Sequence, residues 1–295
     1  MLKVKYKDDI IKVPSTVEEI SLNKGLNIQH IWRKQEHDLI TKRELLTILV
    51  PSEFWSFLDE PSIDSIISNL SILNLDDVKH LIAYNVFELN NIKYGLHPLD
   101  KLSVKEYADI EFYLTYGEDV IDYLDEVCNI LFRPLKTLNT STVNILNNKV
   151  SDIQYKNFRP IIATNYSIVE YSTEMVTNSI LFKENLNFSL CLYALYKYIE
   201  FKNKLISEFP PLFITENKEI DPFEEQEKAY SEEHKEEFTK SFEETWGFYH
   251  ILNELAPTLS EQMIWLNKDI REFFKYLVYH NEKQKNNQKL NQNNG

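Results

Sequence analysis

The stretch from Leu102 to Pro134 constrains the fold more than any other part of the chain. Its start, its apolar density and its stop are all written in the residues. Ser103 followed three positions later by Glu106 is a capping box, in which each side chain satisfies a backbone N–H at the helix start, and Leu102 with Tyr107 is the matching hydrophobic staple. Val104, Tyr107, Ala108 and Phe112 make one apolar stripe; Ile110, Tyr113 and Leu114 make another. A helix apolar on most sides belongs inside a core. Gly117 is expected to end it, Glu118 and Asp119 suit the positive start of a second helix, and Pro134 is expected to stop that one.

Composition fits a helix-rich reading. The 295 residues include only 5 glycines and 10 prolines, too few for a turn-rich all-β fold, while 43% hydrophobic residues suffice for a large core. A formal charge of −14 would repel phosphate backbones, so nucleic acid is not an expected partner. Cys128 and Cys191 lie in apolar runs without CxxC spacing, and read as buried thiols in a reducing compartment. No apolar h-region follows Met1, so no signal peptide is expected, and no apolar run approaches the roughly 18 residues of a membrane span.

Along the chain, Leu2–Tyr6 alternates apolar and polar, turns at Asp8-Asp9 and resumes at Ile10–Val13, which predicts a short hairpin. A helix is expected from Ser21 to Gln35, and helical or mixed structure from Thr41 to Phe57, broken at Pro51. Ser62 should cap an amphipathic helix carrying Ile63, Ile66, Ile67 and Leu70, and a short helix should span Asp76 to Asn85. Phe87–Leu89, Asn90-Asn91 and Ile92–Tyr94 then spell a second hairpin. At an ungapped offset of 82, Val4 meets Val86 and Ile20-Ser21-Leu22 meets Leu102-Ser103-Val104, so residues 4–28 and 86–110 read as two related hairpin-helix units.

The chain turns polar from 137 to 158, a linker between a hairpin-helix domain (1–136) and a helical domain (159–280). In the latter, helices are expected over Tyr166–Lys183 and Leu186–Ile206, ended by Pro210-Pro211. Residues 216–244 hold 12 acids against 4 lysines, a solvated loop or a highly charged helix. Trp246 to Leu255 resumes apolar spacing. A last helix capped by Ser260, stapled by Leu259 and Ile264, should bury Met263, Leu266, Ile270, Phe273, Phe274 and Leu277 on one face. Residues 281–295 read as a disordered tail. The expected fold class is α+β, predominantly α-helical, with two short β-hairpins each followed by helices and a helical C-terminal half.

Signals for chemistry are few. Glu118, Asp119, Asp122, Asp125 and Glu126 fall at helical spacing, where carboxylates can hold a divalent ion or work as an acid–base pair. No His or Asn joins them, so the stripe reads as a solvated face opposite Val120, Leu124, Val127 and Leu131. The seven histidines form no HExxH, and neither GxGxxG, GxxxxGK[ST] nor GxSxG occurs. No cofactor, metal or catalytic residue is assigned. Phe132-Arg133-Pro134 and Phe158-Arg159-Pro160 read as ordinary element ends, or else as a paired recognition surface. Trp246, Tyr249, Trp265 and Phe273 are the expected partner-binding residues.

Three segments resemble one family. Ile11-Lys12-Val13-Pro14 through Ile20-Ser21-Leu22 is similar to the opening of tail assembly chaperones and related tail proteins of long-tailed bacteriophages. Leu102–Pro134 resembles the middle segment of their larger relatives in phages of Bacteroidetes hosts, and Trp246–Ala256 resembles their carboxy-terminal Trp, Leu-Leu and Leu-Ala helix. The resemblance implies a non-enzymatic protein that binds the apolar, helical tape-measure protein or another tail protein during tail assembly. Self-association is left open, and neither nucleic acid nor membrane is a partner. It further implies residence in the host cytoplasm. The alternative is a structural subunit retained in the virion as a tail, neck or internal protein; a metal enzyme built on the 118–126 carboxylates comes a distant third.

Overall fold

The computed structural model describes residues 2–6, 9–14, 20–34, 39–50, 58–59, 61–64, 85–116, 120–138, 144–145, 158–163, 166–171, 179–213 and 251–293. The fold is α+β and predominantly helical, and the chain divides into two compact units. The first comprises residues 1–97 and 121–197, the second residues 98–120 and 198–295.

In the first unit, β1 (Leu2–Tyr6) and β2 (Asp9–Val13) pair as the expected hairpin, but Tyr6 sits opposite Asp9, so the connection is residues 7 and 8. β3 (Val86–Leu89) and β4 (Ile92–Leu96) form the second hairpin. Its two-residue turn places Asn90 at φ 51° and Asn91 at φ 64°. Asparagine tolerates that left-handed region, and such a turn matches the twist of the flanking strands.

This second hairpin is the centre of a six-stranded sheet rather than a free-standing pair. β5 (Phe132–Leu138), β6 (Asn144–Ile145), β7 (Phe158–Ile162) and β8 (Tyr166–Ile168) complete the order β6-β7-β3-β4-β5-β8. Three expectations are corrected here. Pro134 does not stop a helix, the 137–158 linker contributes β6 and the end of β5, and Tyr166 begins a strand instead of a helix reaching Lys183. Period alone cannot separate a short apolar helix from a buried strand, and the hydrogen-bond partners that decide between them are remote in sequence. Proline fits β5 because its carbonyl, which accepts from Val169 N–H at 2.9 Å, faces the edge where β8 has just ended.

The two Phe-Arg-Pro tripeptides flank the hairpin symmetrically. Pro160, Phe87, Tyr94 and Pro134 make one cross-strand row; Phe158 opposes Leu89 as Phe132 opposes Leu96. One face of the sheet carries the core: Phe87 stacks on Tyr94 at 5.3 Å, and Phe132 and Phe182 meet these rings edge-on at 5.2 Å. The other face holds Val86, Ile161 and Ala163 under Leu135, Leu138 and Tyr166. Arg133 also lies on it, buried, donating to Val169 O at 3.2 Å with its guanidinium over Tyr171. It is therefore no part of an exposed recognition surface.

Helices α1 (Leu22–Lys34), α2 (Leu39–Leu49), α4 (Leu124–Leu131) and α5 (Ser179–Asn185) belong to this unit, as does the first half of α6 (Phe188–Glu208). A helical turn at 61–64 starts from Asp59, whose carboxylate accepts the Ser62 N–H at 3.0 Å. Asp59, not Ser62, is the cap. Residues 76–84 of the helix expected over Asp76–Asn85, and the acidic 216–244 segment, lie outside the described residues.

The second unit contains α3 (Val104–Tyr116), the rest of α6, a 3-10 turn (Pro210–Leu212), a helical segment at 251–255, α7 (Leu259–Leu266) and α8 (Ile270–Asn293). The expected capping box of α3 is present: Glu106 accepts from Ser103 N–H at 2.7 Å and Oγ at 2.8 Å, and Ser103 Oγ accepts from Glu106 N–H at 3.3 Å. At the other end, one long helix was expected and two are found. Thr258, not Ser260, caps α7, in a full capping box with Glu261. The Asn267–Asp269 break then starts α8 afresh, with Asp269 accepting from Arg271 N–H at 2.8 Å. Residues 281–293 continue α8 where composition predicts disorder. A helix already nucleated propagates easily through Glu, Lys and Gln.

Each unit is tied by the same device. In the first, Leu22 N–H donates to Leu186 O at 2.8 Å and Phe188 N–H to Ile20 O at 2.9 Å. In the second, Val104 N–H donates to Lys268 O at 2.8 Å and Ile270 N–H to Leu102 O at 3.0 Å. The bridges centre on Ser21–Asn187 and Ser103–Asp269, and each member of the second lies 82 residues after its counterpart in the first. Ser21 and Ser103 both accept from the N–H three residues on, and Asn187 and Asp269 both accept from the N–H two residues on.

Candidate functional site

The second unit holds a cleft of about 740 Å³. The helical period places Tyr107, Glu111 and Thr115 on one stripe of α3, and Phe274 and Leu277 on the facing stripe of α8. Tyr107, Phe274 and Leu277 are buried and form the floor. Phe213, after the 3-10 turn, and Leu255 supply a wall, while Thr115, Asn281 and Gln284 lie exposed at the rim.

Phe274 is the hub of the apolar side. Tyr107, Phe209 and Phe213 each meet it edge-on, with ring centroids 5.6 to 5.7 Å away. On the polar side Glu111 is fixed from two directions, accepting from Tyr198 OH at 2.8 Å and Lys202 Nζ at 2.6 Å. Burial, and then the Glu111 charge, push both Tyr107 and Tyr198 above the ordinary phenol range, so both stay neutral hydroxyls. Glu254 is a second carboxylate on the lining and His280 a titratable ring; the described lining contains no lysine or arginine.

Only part of the carboxylate stripe singled out in the sequence falls among the described residues. α4 begins only at Leu124, residues 118 and 119 lie outside the described residues, and Asp125 is buried, 3.6 Å from Lys183. Among the described residues no group of three or more His, Cys, Asp or Glu is placed to hold a metal ion. Cys128 and Cys191 are free and buried, and burial pushes the Cys128 thiol up.

Of the expected partner-binding residues, Trp246 and Tyr249 lie outside the described residues. The structure brings Trp265 and Phe273 together at 5.5 Å, and Trp265 also packs on Tyr276 at 4.6 Å. Phe273 is 0% exposed and supports this surface from beneath instead of presenting itself. The expected staple of Leu259 with Ile264 and the expected burial of Met263 are corrected: on the outer face of α7 these residues are 79%, 62% and 58% exposed. The Thr258–Glu261 capping box was the available signal for where α7 starts.

Comparisons with known protein families, with curated proteins and with solved structures find no match to this chain. Among the described residues no helix is long and apolar enough to cross a membrane.

Proposed function

We propose that this chain is a non-enzymatic protein-binding protein of bacteriophage tail assembly, acting on the apolar face of a helix in the tape-measure or another tail protein. The observation that carries the binding role is α7, an eight-residue helix with no buried residue. It is nevertheless held rigid by its capping box, by Asn267 Nδ2 donating to Met263 O at 2.8 Å, and by Trp265 packed on α8. Clustered exposed apolar side chains on a rigid helix are the usual anchor for a partner helix. The tail-assembly setting rests on the sequence resemblance alone.

Co-purification from infected cells tests both parts. The wild-type chain should retain a tape-measure or other tail protein, and the Leu259→Glu, Met263→Glu double variant should lose it at least tenfold. Both positions are exposed, so stability should change by no more than about 0.5 kcal/mol per substitution. Unchanged capture by the variant would remove α7 from the interface. Stoichiometric copies in purified particles would instead favour a structural subunit of the virion.

A further inference from the structure

We infer that the partner helix proposed for α7 runs on past it, along the helical segment at 251–255, and seats a bulky apolar side chain in the cleft of the second unit. This second contact rests on the reading of α7 as a binding face, and it specifies what kind of helix fits there.

Area is the first reason. α7 has eight residues, whereas a stable protein–protein interface takes about 20–30 residues from each side. The partner must therefore touch more than α7, and two further exposed apolar side chains of this unit, Ile251 and Phe213, line the cleft at 39% exposure each. Spacing is the second. Ile251, Leu255, Leu259 and Met263 recur at every fourth residue, the kind of side-chain row along which a second helix packs. Pro257 interrupts the backbone between them, but the two pieces are tied to one another, with Gln262 Nε2 donating to Asn253 Oδ1 at 3.1 Å. Leu255 lines the cleft and Leu259 follows four residues later, so their Cα atoms lie within about 14 Å, a distance that roughly ten residues of helix would span. The third reason is the cleft itself. Its floor of Tyr107, Phe274 and Leu277 is buried, and about 740 Å³, a space of the size that encloses a small organic molecule, has room for a whole aromatic side chain. Side chains that fill such pockets carry most of the affinity of an interface. The occupant is thus an amphipathic helix of about four or five turns, apolar at three- and four-residue spacing, with a large aromatic or aliphatic residue at the end that meets Ile251.

The test is site-specific photo-crosslinking in infected cells, with p-benzoylphenylalanine in place of Ile251 or of Leu259 in the full chain, and the crosslinked residues mapped by mass spectrometry. Eight residues of chain span at most about 29 Å, which is roughly 19 residues of helix. Both positions should therefore crosslink to one helix of one tail protein, at sites no more than about 20 residues apart. Ile251→Glu should also lower retention of that protein at least fivefold, while the melting temperature stays within a few degrees of wild type because the position is already partly exposed. Crosslinks from position 259 alone, with retention unchanged by Ile251→Glu, would overturn the cleft contact and leave the α7 reading standing. Crosslinks from neither position would overturn both. Crosslinks from position 251 to a second copy of this chain, or to a different protein from that found at 259, would overturn the single continuous helix.

Discussion

Gly25 and Gly95 show how single atoms decide this structure. A Cβ on Gly95 would lie 2.6 Å from both Leu135 Cδ2 and Tyr166 Cε2, because the Tyr166 ring lies over the sheet there and its hydroxyl donates to Leu96 O at 2.7 Å. Gly25 is helical, and alanine would ordinarily gain about 1 kcal/mol there, but the Phe188 ring occupies the place of its Cβ. Overpacking of this kind outweighs propensity, so Gly95→Ala and Gly25→Ala should each destabilise by about 1–3 kcal/mol, read from the urea midpoint at unchanged slope. At the offset of 82 the glycine–phenylalanine pair becomes Tyr107 and Ile270. The large and small side chains have changed sides, and in the second unit the tyrosine floors a cleft.

At the scale of elements, α7 owes its position to its caps and to Trp265 packed on α8, since nothing of it is buried. Thr258→Ala should cost about 1 kcal/mol and lower amide-exchange protection in α7 before it does so in α8. The start of α3 was legible in the sequence, because a capping box is local and Ser103 and Glu106 spell it out. The second hairpin was legible for the same reason, through Asn90-Asn91. The strands β5 to β8 were not. Their pairing joins Phe132 to Leu96 and Ile161 to Val86, and neither partner lies within reach of a periodicity window. The helix break at Asn267–Asp269 was also hidden, because Ile270, Phe273 and Leu277 continue the apolar spacing of Met263 and Leu266. The cleft was half visible: Tyr107 and Glu111 share a stripe of α3, but nothing local shows that Lys202, 91 residues away, fixes that carboxylate.

For the whole molecule, pH is the most direct probe of the buried tyrosines. Burial raises Tyr94, Tyr107 and Tyr198, and pushes Tyr166 up to about 12. Each holds its proton in the folded state to a higher pH than in the unfolded chain, where it would leave near pH 10. Their contribution is therefore complete below about pH 10 and declines as pH rises through the folded values, by up to about 1.4 kcal/mol per pH unit for each group. The melting temperature should fall steeply as pH rises above about 10, and Tyr198→Phe should make that fall shallower. The paired bridges carry a different consequence, for the order in which the protein is made. Ser21 waits for Asn187, and Ser103 for Asp269, each 166 residues downstream (187 − 21 and 269 − 103). At about 5–20 residues per second, that is roughly 8–33 s in which the start of α1 or α3 stands on the ribosome without its partner strand. Because the four segments alternate along the chain, the first unit closes only after the opening half of the second is already synthesised and still waiting.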